Sequence, residues 1–243
     1  MKYNVLLSIL IIFLFSCKQK KSSPEIDIPA KSIVAYPNAD TLKVDLNKSV
    51  ITWIGSKPTT QHDGIIELDN GLVIIDNNQL IGGFVSININ TLKVMDINPS
   101  KEEHKKLTDH LMSVDFFDVL NYPKGAFEII SIKPYDSTYH FERKEIVFPS
   151  KNQPATAASF AVREPNVVIL GNLTIKDVTE QITFPANVEF KTSLITIEAK
   201  FNLDRTKWNL AHNDESSIID KAKDKFIYNT VNVGFLIEAP LTE

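Results

Sequence analysis

Five histidines, His62, His104, His110, His140 and His212, are the first residues to test for chemistry, because imidazole serves both metal binding and proton transfer near neutral pH. His104 and His110 lie six apart in a helical stretch, roughly 240° around the axis at 3.6 residues per turn, so this pair does not converge on one ion. His62, His140 and His212 fall in separate loops, with no cysteine partner and no HExxH spacing. The reading is that no metal is held. Nucleophilic hydrolysis finds no support either: there is no GxSxG elbow, and Ser113 with Asp115 reads as a helix end leading into a turn. Glu102 and Glu103 fall in a first helical turn, where they favour the helix dipole. Gly82 and Gly83 interrupt a strand without the lysine and helix of a phosphate loop, which marks a bulge or a close backbone approach. No catalytic residues are expected, and the chain reads as a non-enzyme.

Charge narrows the partners further. A formal charge of −4 with acids and bases interspersed gives no basic face for nucleic acid. The only cysteine, Cys17, follows "MKYNVLLSILIIFLFS", in which Lys2 precedes an apolar run from Val5 to Phe15. That run is shorter than the roughly 20 residues a spanning helix needs and reads as an export signal. The stretch "LFSC" resembles the lipobox of bacterial lipoproteins, so residues 1–16 read as a lipoprotein signal peptide and Cys17 as the lipidated residue; a plain signal with an incidental cysteine is the other reading. Residues 17–40, rich in lysine, serine and proline, read as a tether.

The elements that must position any site are strands. Period-two alternation recurs in "ITWIGS", "GIIEL", "LVIID", "IGGFVSININ", "AFEIISI", "NVVILGNLTI", "ITFPANVEF", "LITIEAKFNL" and "FIYNTVNVGFLIEA", with short turns between them. Asp69–Gly71 and Asp76–Gln79 carry hairpin signals. The fold class is therefore all-β and antiparallel. One segment, "NPSKEEHKKLTDHLMS", carries a capping-box pattern at Ser100 and Glu103 and predicts a short helix joining two strands across one end. In "FVSININ", Val85, Ile87 and Ile89 share an apolar face against Ser86, Asn88 and Asn90; Ile195, Ile197, Ala199, Phe201 and Leu203 do the same further on. Closure of about eight such strands leaves an interior for side chains or for one elongated apolar ligand.

Several stretches together resemble the YceI-like family of exported lipid-binding β-barrels: "WIGSKPTTQHDGIIEL", "IGGFVSININTLKVMD", "KLTDHLMSVDFFDVLNYPKGAFEI", "GNLTIKDVTEQITFPA", and "FNLDRTKW" followed by "DKFIYN". They run in the family's order from about Thr41 to Ala239. The resemblance implies an eight-stranded antiparallel lipocalin-like β-barrel over residues 41–243 with one short helix. It also implies a long apolar tunnel able to hold a polyisoprenoid, quinone or fatty acid. The tail is expected against Trp53, Val85, Ile87, Ile89, Phe127, Ile129, Leu173, Ile197, Phe201, Val231 and Val233. The head group is expected near Lys57, His62, Arg205 and Trp208, at one mouth. For Arg205 a second role stands beside this one, pairing with Asp204 or Asp220 to order the loop. Phe116 and Phe117 either touch the tail or pack the helix end on the barrel. Between Ile132 and Asn166 the chain has an insertion, about residues 133–165, where the family has a short turn; it reads as an extra hairpin or a flap.

The sequence thus predicts non-enzymatic carriage of an amphiphilic lipid, with no cofactor beyond that ligand and no nucleic-acid partner. A lipid anchor is expected to hold it on the bacterial cell envelope, facing the periplasm or on the outer membrane. Whether the barrel forms a homodimer is left open. The alternative is a structural or interaction lipoprotein whose barrel is filled by its own side chains.

Overall fold

The computed structural model describes residues 39–136, 138–141, 148–216 and 226–241. The expected signal, Cys17, Asp220 and nearly all of the tether lie outside these residues. In chain order the elements are β1 (Asp40–Lys43), β2 (Val50–Ser56), β3 (Gln61–Asp76), β4 (Gln79–Val94), α1 (Glu102–Met112), β5 (Lys124–Pro134) and β6 (Val167–Ile175). They continue with β7 (Val178–Phe190), β8 (Leu194–Asp204), a 3-10 helix (Arg205–Trp208) and β9 (Thr230–Pro240).

Strands β2 to β9 pair antiparallel around a ring, β3-β2-β9-β8-β7-β6-β5-β4, and the β3–β4 pairing closes it. The expected eight-stranded barrel is therefore present. The extra strand, β1, continues the place of β2 along the other half of β3: β2 covers Gln61–Glu67, and β1 covers Leu72–Ile75. Asp40, assigned to the tether from sequence, already pairs with Ile75 in this ladder. Closure removes the free edge of the sheet, although β7 meets β8 only over Ala186–Phe190 and β4 meets β5 only over Phe84–Asn88.

The two ends of the barrel differ. The upper end carries the β2–β3 turn, α1, the β6–β7 turn and the β8–β9 connection. The lower end carries the start of β1, the β3–β4 turn and the insertion between β5 and β6. Inward residues of the ring form one continuous core, from Leu42 and Ile51 to Ile237 and Ala239.

Four local readings need correction. Asp69–Gly71 is not a turn, because β3 runs straight through it and accommodates the extra residue as a bulge between Leu68 and Asn70. A two-residue hairpin of that type needs positive φ, and Gly71 has none; it is glycine because a Cβ would lie 2.8 Å from Val44 Cγ2. Asn77 and Asn78, at φ 47° and 56°, do make the β3–β4 turn. The capping box at Ser100 is also unused: Lys101 is the N-cap, and Ser100 instead donates its N–H and Oγ to Asn98 Oδ1 at 3.0 and 2.9 Å. α1 nevertheless joins β4 to β5 over the upper end as expected.

The outer faces of β3 and β4 are not uniformly wet. Leu72, Ile74, Phe84 and Ala126 form a second buried cluster with Ala39 and Ile81 packed on it, and Ser86 is buried beside them on the same strand. The insertion, finally, begins later than expected, since Lys133 and Pro134 still pair with Val168 and Val167. Among the described residues it is no extra hairpin but a strap over the outside of the wall. Asn166 exchanges two hydrogen bonds with Val188 at 2.8 and 2.9 Å. Further along, Ala155 donates its N–H to Asn232 Oδ1 at 3.1 Å, while Asn202 and Asn232 donate to its carbonyl at 2.9 and 3.0 Å. Asn152 then donates to the Pro58 carbonyl at 3.1 Å, so the strap reaches the upper end.

Candidate functional site

Alternation along β2, β4, β6 and β9 turns Trp53, Ile87, Ile89, Leu173, Val231 and Val233 inward, and all six line a cavity of about 230 Å³ in the upper half of the barrel. The strand period thus places these expected tail contacts on one surface. Four others, Val85, Phe127, Ile129 and Ile197, line a separate void of only about 40 Å³ lower down. Phe201 lines neither. It stacks on Phe184 at 4.2 Å between ring centroids, and Phe127 and Phe235 close the group at 5.4 to 5.8 Å from their nearest partners. The continuous tunnel expected from the resemblance is therefore divided by an aromatic floor of Phe127, Phe184, Phe201 and Phe235, with Phe235 facing both spaces.

Polar groups gather at the upper rim. Lys57 is exposed in the β2–β3 turn, whose backbone is closed by its N–H donating to the Thr60 carbonyl at 2.7 Å; its ammonium has no partner among the described residues. His62 is tied by Nδ1 to Asp96 Oδ2 at 2.8 Å, across from the end of β4. Beneath them, Trp53 Nε1 and Ser56 Oγ are buried in the cavity wall without a hydrogen-bond partner among the described residues. Buried donors are ordinarily satisfied, so two orphans in one wall mark a place where a bound molecule gains by offering acceptors. Trp53 is held over Gly64, where a Cβ would come within 1.9 Å of the Lys93 carbonyl and 2.5 Å of the indole.

Arg205 and Trp208, expected at the head group, have other occupations as well. Trp208 is 1% exposed and donates Nε1–H to the Leu173 carbonyl at 3.0 Å. Arg205 is 5% exposed; its Nε donates to the Tyr228 carbonyl at 3.0 Å, Nη1 to the Leu210 carbonyl, and Nη2 to the Ile227 and His212 carbonyls at 2.9 and 3.1 Å. Four of its five N–H groups thus order the β8–β9 connection through backbone oxygens. Burial pushes the guanidinium pKa down from its usual value, while Asp214, Asp204 and Glu215 pull it back up, and the group stays charged.

Sequence reasoning missed two groupings of residues here, although it named Phe116, Phe117, Phe127 and Phe201 singly. The aromatic floor comes from four strands, and no single stretch announces it. At the rim, Phe116 and Phe117 both line the cavity, and Phe116 sits edge-on to His110 at 5.1 Å and tilted against His212 at 5.4 Å. Helical spacing sets His104 apart from His110, and its ring reaches the Val94 carbonyl at 3.2 Å instead; the partner the fold brings to His110 is His212, with their rings 4.8 Å apart.

The fold can now be compared with known ones. The chain is similar to the crystal structure of BcnA from Burkholderia cenocepacia, with 17% identity, a TM-score of 0.55 and 81% of this chain covering 99% of that one. A polyisoprenoid-binding domain from Saccharophagus degradans, implicated in plant cell wall breakdown, is similar at 12% identity and a TM-score of 0.52, with 84% of this chain covering all of that one. At these identities the likeness shows the fold. No curated protein sequence matches the chain. Residues 42–239 match the family model of the YceI-like domain, a span that takes in every ring strand up to the last residue of β9 but one, and the chain belongs to the YceI-like family.

Proposed function

We propose that this protein binds the tail of an amphiphilic lipid in the upper cavity and carries it without chemical change. The observation that carries this reading is the partly open apolar cavity of about 230 Å³ with polar groups collected at one end of it. That volume exceeds the roughly 150 Å³ void that holds benzene in an engineered protein core. Burial of apolar surface at about 25 cal/mol per Å² favours a hydrocarbon there with few specific contacts. The head group lies at the upper rim, where Lys57 offers a cation and Trp53 Nε1 and Ser56 Oγ offer unpartnered polar atoms. The polyisoprenoid-binding domain from Saccharophagus degradans supports the ligand class. On that scale the upper cavity takes a tail segment of roughly nine carbons, and a full isoprenoid, quinone or fatty-acid chain requires the aromatic floor to move or part of the tail to stay outside.

The test is to purify residues 40–243, extract with organic solvent and analyse the extract by mass spectrometry. One apolar-tailed lipid per barrel is expected. A barrel that stays empty after incubation with envelope lipids would overturn the reading in favour of a structural or interaction lipoprotein.

We also infer that the chain is exported and anchored to the envelope through Cys17, from the apolar run and the "LFSC" stretch before it. A diacyl or triacyl anchor is durable, at roughly 0.8 kcal/mol per buried CH₂. Fractionation of cells producing the full chain checks this: the protein is expected in membranes, and Cys17→Ser moves it to the soluble fraction or leaves an unprocessed precursor. A Cys17→Ser chain of unchanged mass and location would refute the anchor.

A further inference from the structure

We propose that His110, Asp115 and His212 form a binding site for a divalent transition-metal ion of the zinc class at the rim of the cavity. His110 stands in the last turn of α1, Asp115 in the turn that follows it, and His212 in the connection between the 3-10 helix and β9. One ligand atom from each lies within 4.8 Å of the other two. His110 Nε2 is 3.3 Å from Asp115 Oδ2, and His212 Nδ1 is 4.0 Å from the same oxygen.

Metal–ligand bonds of about 2.0–2.1 Å at tetrahedral angles set ligand atoms about 3.4 Å apart, so the first pair already has the required spacing. Against that spacing the His212–Asp115 distance closes by about 0.6 Å and the remaining pair by at most about 1.4 Å, through side-chain rotations. All three side chains are partly exposed, which leaves them room to turn and makes loss of water a minor cost.

The surroundings hold the donors in place. The two imidazoles meet edge to face at 4.8 Å, Phe116 packs against both, and Arg205 Nη2 fixes the His212 carbonyl at 3.1 Å. The remaining nitrogen of His212, Nε2, lies 2.9 Å from the side-chain amide of Asn213. With Nδ1 on a metal, Nε2 carries the proton and donates it to Asn213 Oδ1 after a half-turn of the amide, which supplies the outer hydrogen bond that metal-bound imidazoles ordinarily make. Two imidazole nitrogens and one carboxylate oxygen suit zinc, cobalt, nickel or copper better than magnesium or calcium. Three protein ligands leave the fourth position to water or an outside donor. The ion ties the end of α1 to the β8–β9 connection, two segments that, among the described residues, meet through ring packing, the Arg205–Phe116 contact and a shared carboxylate. His110 and His212 also line the cavity, so the ion sits in the rim wall itself.

The test uses the tag-free full chain in detergent, stripped with chelator and titrated with Co²⁺ by visible spectroscopy and with Zn²⁺ by calorimetry. One equivalent of each is expected to bind, with the intense visible bands of four-coordinate Co²⁺. His110→Ala and His212→Ala are each expected to weaken Zn²⁺ binding by at least about 100-fold, and His62→Ala to leave it unchanged. Asp115→Asn, which keeps the shape of the side chain, decides the matter if a histidine variant fails to fold; a loss of at least about 10-fold is expected. Absence of stoichiometric binding would overturn the proposal, as would binding that survives in folded His110→Ala, His212→Ala or Asp115→Asn chains.

Discussion

A Val233→Trp chain is expected to fold, to purify without lipid, and to bind a fluorescent fatty-acid probe roughly 200-fold more weakly than the parent. Val233 points into the upper cavity from the middle of β9, opposite Trp53 on one side and Phe201 on the other. An indole at this position projects into open space, so its packing cost stays near the low end of the 1–3 kcal/mol typical of enlarged core residues. It takes room from the ligand. Excluding about four CH₂ groups at roughly 0.8 kcal/mol each removes about 3 kcal/mol of binding, which is the stated factor. The measurements are probe titration and a thermal melt, the second to confirm the fold. Unchanged affinity in a folded variant would show that the tail lies outside the barrel, and the carrier reading would fall with it.

The largest loss of stability is expected from Arg205→Met. The substitution keeps the length and the packing of the stem but leaves the Tyr228, Leu210, His212 and Ile227 carbonyls without their donor. Removing one partner from a buried, charge-assisted network costs about 3–5 kcal/mol, and partial entry of water at the loop puts the expectation near the lower figure. Arg205→Lys recovers little, because an ammonium cannot reach four oxygens spread around a planar fork. Urea unfolding followed by circular dichroism reads this directly. A loss below about 1 kcal/mol would mean that the loop finds other partners, and would return Arg205 to the head-group role expected from the sequence.

The contrast between these two residues shows what a sequence exposes. Ile87 and Ile89 were legible because a strand's period is local: the alternation that defines the strand also defines its inward face. Val233, with Leu173 and Val231, was expected from the family resemblance, and its inward face agrees with the same alternation along β9. Arg205 carried a residue type that suits anions, while its burial depends on where residues 210, 212, 227 and 228 return, and no local pattern encodes that. The Asn-Gly pair at residues 70 and 71 failed for a related reason. Its turn preference is worth less than the ladders that β3 makes with β1, β2 and β4 on both sides of it. His110 and His212 lie a hundred residues apart, and only the closure of the barrel brings them together.

One feature of the topology bears on direction. The first strand starts at the lower end, where Asp40 pairs with Ile75 beside the β3–β4 turn, whereas Lys57 and the cavity rim stand at the upper end. On the proposed anchor at Cys17, the barrel is moored from its lower end, opposite the rim of the upper cavity. Residues 18–39 span at most about 75 Å when fully extended, and on that anchoring they enter the domain from the end opposite the cavity rim. Cargo is then presented to the aqueous space and to whatever approaches from it. Loading from the moored bilayer requires the barrel to roll over on its leash.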